Sequence, residues 1–235
     1  MVRSTDAAAI RDLPLFRDMA DEHFDALVQP AFLQRFPPHV VLFERGQVPD
    51  FLCVVMEGAV ELFARHAERE TTIAILRPIA TFILAAVVRR EPVLTAGRTL
   101  DPSRILMIPT DMVHAIMAQD NAFAHAMAAE LADAYRSMVQ ELKSQKLRTS
   151  VERLANWILR EAARSGNSEQ FDIPFDKRTL ASRLGMTPEN LSRNFATLLR
   201  HGVEVQGRTI RITDAGRLAA LAQPDPLIDE VPVGT

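Results

Sequence analysis

Between about residues 31 and 108 the apolar positions fall into short runs, VVLFERG, FLCVVMEGAVELFAR, TTIAILRP and TLDPSRILMIP, broken by Gly46, Gly58, Pro78, Gly97 and Pro102. Many short runs with turn residues at that spacing predict a β-barrel or sandwich. Ahead of them, LPLFRDMADEHFDALV reads as one or two short helices, with Leu13 and Phe16 turned onto the barrel. After Pro109 the period lengthens. TDMVHAIMAQ predicts a short helix starting near Thr110 or Asp111, and from Asn121 to about Lys146 the chain has neither Gly nor Pro, so one long helix is expected.

Along that helix Ala124, Met127, Leu131, Ala134 and Met138 recur at alternating spacings of three and four, the seam of a coiled coil. The pattern predicts a homodimer spine; the alternative is that the stripe packs on its own barrel. A further helix, Ser150 to Ser165, carries Val151, Leu154, Trp157 and Ile158 on one face, followed by a loop (SGNSEQ) and an extended stretch (FDIPF). Asp176 then caps a helix through about Leu184, and Gly185 supplies a left-handed turn position. Thr187 as N-cap and Pro188 at the first helical position open the next helix, which runs to about Arg200 and stops at His201-Gly202. Helix, short turn, helix is helix-turn-helix spacing.

The second of these helices has two faces. Leu191, Phe195, Leu198 and Leu199 are expected in the core, while Glu189, Ser192, Arg193 and Thr197 lie opposite, where a recognition helix meets base edges. Arg193 can fork onto guanine, Glu189 can accept from cytosine N4, and Ser192 can reach a base or a phosphate, each good pair contributing about 1–3 kcal/mol of discrimination. VEVQGRTIRITD follows as two alternating runs around Gln206-Gly207, a β-hairpin wing whose Arg208 and Arg211 suit phosphates.

Charge sharpens this reading. Residues 1–142 carry 13 Lys/Arg against 19 Asp/Glu, whereas residues 143–217 carry 14 against 8, so the positive end coincides with the helix-turn-helix, as a polyanion partner such as double-stranded DNA requires. At 235 residues two domains are expected. No apolar run reaches the roughly 18 residues of a membrane span and the N-terminus lacks a signal-peptide core, so a cytoplasmic protein without a membrane partner is expected. The single cysteine, Cys53, excludes an internal disulfide and a four-cysteine iron–sulfur cluster from this chain. No nucleophile–base pair, P-loop or H-E-x-x-H spacing is present, so no enzyme is expected.

The whole α+β plan resembles the CRP/FNR superfamily of bacterial transcription regulators. It comprises an N-terminal β-roll like a cyclic-nucleotide-binding domain (1–120), a dimerisation helix (121–147), a winged helix-turn-helix (148–222) and a C-terminal tail (223–235). T-P-E-N-L-S-R resembles the E-x-x-S-R signature of the FNR branch. The resemblance implies an FNR-type palindrome, TTGAT followed by ATCAA, with Glu189, Ser192 and Arg193 as its readers; the expected DNA-binding set is Thr187, Pro188, Glu189, Asn190, Ser192, Arg193, Thr197 and Arg208, and RNA polymerase is implied as a further partner of an activator.

Sensing is where the residues depart from cyclic-AMP-binding members. Their Gly-Glu and Arg-Ser pairs align with Ile83-Leu84 and Val93-Leu94, and TFILAAVV carries no charge to hold a phosphate. The expected effector pocket is apolar, at Phe82, Ile83, Leu84 and Val87, and not suited to cyclic AMP. ATFILAAVVRREP is similar to the corresponding stretch of the nitric-oxide-responsive branch called NnrR or DNR, which makes haem one option. His23, His39, His66, His114, His125, His201 and nine methionines are available as axial ligands, with His39 and His125 first to test. The other readings are an effector-independent regulator, and a ligand-binding module acting through a protein partner.

Overall fold

Short, β-branched and aromatic runs become strands where turn residues cut them. In the computed structural model, which describes residues 2–229, the strands are β1 (Phe32–Phe36), β2 (Val41–Phe43), β3 (Phe51–Glu57), β4 (Val60–His66), β5 (Arg69–Leu76), β6 (Ala80–Phe82), β7 (Ala96–Thr99) and β8 (Ser103–Pro109). They form two antiparallel sheets, ordered β1-β8-β3-β6 and β2-β7-β4-β5. At the β3–β4 turn Gly58 has φ +84, and a Cβ there would collide with Ser103 and the Pro102 carbonyl, so the turn requires glycine.

The first sheet is covered on both faces, which explains why FLCVVM is a continuous apolar run rather than an alternating one. Cys53, Val55 and Ile105 join Val60 and Phe82 in the space between the sheets. Leu52, Val54, Leu106 and Ile108 face the other way, into a cluster with the N-terminal segment. That segment is α1 (Ser4–Arg11), a turn-rich stretch and α2 (Asp21–Val28). Of the one or two short helices expected over residues 13–28, α2 forms, while residues 12–19 run as turns and bends in which Leu13 and Phe16 bury against the sheet at 5% and 0% exposure.

TFILAAVV changes character midway. It finishes β6, passes through Ile83 in the left-handed region (φ 57, ψ 16) and continues as α3 (Leu84–Arg89). Helix α4 (Thr110–Met117) leads into α5 (Asn121–Leu147), and Asp120 caps α5 by accepting the Phe123 N–H at 2.9 Å. The chain divides into two compact units between Tyr135 and Arg136, inside α5.

In the second unit α6 (Ser150–Ser165) begins with a full capping box, Thr149 with Glu152, and ends at Gly166. Then come β9 (Gln170–Asp172), α7 (Lys177–Arg183), α8 (Pro188–Leu198), a 3-10 turn (Leu199–His201), β10 (Val203–Gln206), β11 (Thr209–Ile212), α9 (Ala215–Ala222) and α10 (Pro226–Asp229). FDIPF supplies β9 as the third strand of a sheet ordered β10-β11-β9. Trp157 packs on Phe171 and Phe175 at 6.0 and 6.2 Å between ring centroids, with Leu154, Ile158, Leu180, Leu191, Leu198 and Ile210 buried. One expectation is corrected: Leu199 is 61% exposed rather than core, because the tighter winding of the 3-10 turn rotates it off the α8 face. In the tail, Ile228 is buried while Leu227 is 71% exposed; residues 230–235 lie outside the described ones.

Candidate functional site

The geometry of the helix-turn-helix follows from three short-range devices. Asp176 accepts the Thr179 N–H at 2.7 Å and Thr187 accepts the Asn190 N–H at 3.2 Å, fixing the starts of α7 and α8; each cap is worth about 1 kcal/mol. Gly185 makes the turn at φ +62, where Gln145 of α5 crowds any added side chain. Leu191 and Leu198 then anchor α8 inward, with Phe195 half-buried beneath Lys177 at 5.8 Å from its ring centre.

With that face buried, Thr187, Pro188, Glu189, Ser192 and Arg193 are exposed on the first two turns of α8, and Asn190 is half-buried among them. The Glu189 carboxylate is held below its ordinary range, first by its own backbone N–H at the helix start, then by Thr187 and the charge of Arg193. It is therefore an acceptor only, as pairing to a cytosine amino group requires. No salt bridge links Glu189 and Arg193 among the described residues, so Arg193 keeps its guanidinium fork. Thr197 is half-buried on the third turn, and its hydroxyl donates to the Arg193 carbonyl at 3.1 Å, the i−4 back-bond open to a helical threonine.

The hairpin forms as expected, but its loop is Gly207-Arg208, since Gln206 pairs with Thr209. Gly207 at φ +61 in the first loop position suits a type II′ turn. Arg208 is exposed, yet its Nε and Nη2 both donate to the Ile173 carbonyl, at 3.1 and 2.8 Å, so it braces the hairpin with part of its donor set. Arg211 projects from β11, opposite Glu204. Arg178 on α7 and Arg200 past α8 are exposed as well. Both sit at exposed helix positions flanking the motif, a signal the base-reading pattern alone does not single out.

In the first unit the expected pocket residues are packing residues. Phe82 stacks on Phe43 at 5.9 Å between ring centroids, Phe43 also covers Gly97, and Leu84 and Val87 join the cluster under the N-terminal segment. A small cavity of about 200 Å³ lies elsewhere, between residues 13–16, Val54, Ile79, Thr81 and Glu130, and none of Phe82, Ile83, Leu84 and Val87 lines it. Its wall is apolar except where Thr81 donates to Glu130 at 2.7 Å. Glu130 lies on α5 just before Leu131, off the apolar stripe, so the periodicity does not single it out.

The arginine nearest the aligned phosphate-binding position is engaged. Arg98 on β7 binds Glu61 at 2.7 Å and Glu70 at 2.8 Å and lies over the Phe63 ring, while Leu94, aligned near the phosphate-binding pair, is 86% exposed. The cavity beside Glu130 is below the roughly 300–1,000 Å³ of ordinary ligand sites, and His39 and His125, the first candidates for a haem ligand, are both exposed and do not line it. Cys53 is a core residue whose thiol burial pushes up to about 12, so it stays protonated.

The stripe on α5 divides. Met127 is fully buried in its own roll and Leu131 packs at the edge of the same cluster, with Ala124 half-buried. Ala134 and Met138 are exposed, and with them Tyr135, Val139 and Leu142. No helix among the described residues is long and apolar enough to cross a membrane.

Comparison with known proteins parallels this division. Residues 33–120 match the cyclic nucleotide-binding domain family and residues 152–221 the Crp-like helix-turn-helix domain family. The chain is 26% identical over 211 residues to the cyclic AMP receptor protein of Thermus thermophilus, covering 89% of this chain and 96% of that one. It is 25% identical over 190 residues to the transcriptional activator FnrA of Stutzerimonas stutzeri, covering 77% and 76%. The structure of FixK2 from Bradyrhizobium japonicum superposes with a TM-score of 0.72 at 18% identity, covering 81% and 96%, a likeness of fold.

Proposed function

We infer that this transcription regulator of the CRP/FNR family binds double-stranded DNA as a homodimer and reads an FNR-type palindrome, TTGAT followed by ATCAA, through Glu189, Ser192 and Arg193. The observation that carries the reading is the exposed, unbridged triad on the first two turns of a capped α8 whose other face is buried. Thr187, Pro188 and Asn190 set the start of that helix against the backbone, and Arg211, with the free edge of Arg208, serves phosphates. RNA polymerase is the partner through which such a dimer activates. Two recognition helices must meet half-sites about one DNA turn apart, so the apolar positions exposed on α5, Ala134, Tyr135, Met138 and Leu142, form the seam between copies.

The first unit either senses a small apolar effector at the cavity beside Glu130 or works without one; its packed roll and engaged Arg98 argue against a cyclic nucleotide. Haem and nitric-oxide responsiveness find no support in the cavity's size or in the placement of His39 and His125.

The test is fluorescence anisotropy with the palindrome and a scrambled duplex over a salt series. Wild type is expected to prefer the palindrome and to weaken steeply with salt, through counterion release. Arg193→Ala is expected to lose the preference while keeping non-specific binding. Unchanged selectivity in that variant sinks the base-reading assignment, and salt-independent or absent duplex binding favours a protein partner instead.

A further inference from the structure

The sequence past the hairpin domain looks like an acidic afterthought, yet its last described residue is built into the corner where α5 gives way to α6. Arg148 occupies that corner with a side chain only 7% exposed, and its two terminal nitrogens donate to the two Asp229 oxygens at 2.7 and 2.5 Å. The Asp229 side chain is 11% exposed and has a second cation, Arg160, at 3.4 Å. A bidentate arginine–carboxylate pair is geometrically specific, and a charge this buried needs its partner. The segment is further fixed by Ile228, which is buried, and by the Asp225 N–H, which donates to Asp229 at 2.8 Å.

The corner connects onward to the DNA-reading motif. The Arg148 carbonyl accepts from Arg153 Nη1 at 2.7 Å, and Arg153 Nε donates to the carbonyl of Leu184, the residue that closes α7 immediately before the turn, at 3.0 Å. On the other side of that turn's first helix, Arg183 pairs with Glu141 of α5 at 2.9 Å. Asp229, Arg148, Arg153 and Leu184 thus form one continuous path from the C-terminal segment to the helix-turn-helix.

We propose that Asp229 is a positioning residue for DNA recognition: by clamping Arg148 it sets the corner between α5 and α6, and with it the angle at which α8 is presented. The proposal rests on the DNA-binding reading above. A duplex bound by both copies of a dimer requires that angle in each, whereas a single half-site does not, so loosening the corner weakens palindrome binding selectively.

Wild type, Asp229→Asn, Arg148→Met and the double variant are compared by backbone hydrogen exchange and by anisotropy with a palindromic and a half-site duplex. Exchange over residues 148–153 and 184–187 is expected to accelerate about tenfold in each single variant, with strand β8 unchanged. Palindrome affinity is expected to fall about tenfold while half-site affinity holds, and the double variant should be no worse than either single, because both remove one interaction. Unchanged exchange in Asp229→Asn, or fully additive effects in the double variant, overturns the clamp. Exchange is read without DNA, so a wild type indifferent to the palindrome rejects the sequence assignment and leaves the exchange result to decide the clamp.

Discussion

Asp120 gathers three donors on one buried carboxylate: the Phe123 N–H at 2.9 Å, the Ala20 N–H at 3.0 Å and the His23 ring at 3.0 Å. Burial alone raises its pKa, but the two backbone donors and His23 outweigh that and hold it below the ordinary value. A carboxylate depressed in the folded state contributes stability that is complete above its unfolded pKa of about 4 and is lost as pH falls through the folded value. Asp120→Asn is therefore expected to lower Tm at neutral pH and to flatten the acid limb of the Tm–pH profile below about pH 4. Gly202 tests a different term: at φ +79, against the backbone of Asp214, it has no room for a side chain. Gly202→Ala is expected to cost about 1–3 kcal/mol in chemical denaturation, without changing the salt slope of DNA binding. Caps such as Asp176 and Thr187 were legible from sequence because their hydrogen bonds span three residues. The outward turn of Leu199 was not, since it depends on where α8 tightens.

At the scale of elements, α5 carries two stripes that one periodicity merged. Met127→Ala is expected to destabilise the folded chain by about 2–5 kcal/mol, because its side chain is fully enclosed by its own roll. Met138→Glu, on a residue 63% exposed, is expected to leave thermal unfolding of the monomeric fold unchanged and to shift sedimentation from dimer to monomer. If Met127→Ala dissociates a dimer without loss of stability, the division of the stripe is wrong. The hairpin offers a second test: Arg211→Ala is expected to weaken all duplexes alike and reduce the salt slope by about one unit, as the loss of one phosphate contact requires. Strand and helix identities were readable here because each element's period is local. The loop of the hairpin was displaced by one residue, Gly207-Arg208 rather than Gln206-Gly207, because register is set by pairing across strands.

For the molecule as a whole, two features of the first unit bear on an effector, a cavity of about 200 Å³ and an occupied charge network around Arg98. The protein as purified is expected to lack a Soret band and to show no thermal shift with cyclic AMP; either signal reverses the reading of the roll. By itself the sequence determined the succession of strands, long helix and helix-turn-helix, the capped start of α8 and the outward triad Glu189, Ser192 and Arg193, all consequences of periodicity and short-range hydrogen bonding. Only tertiary structure decided that Phe82, Leu84 and Val87 are packing rather than pocket, that the cavity draws on residues 13–16 and Glu130, and that Met127 belongs to the roll. It also decided that Asp229 reaches back to Arg148. Those facts join positions tens of residues apart, and no local pattern encodes which buried face or which charge a distant segment will meet.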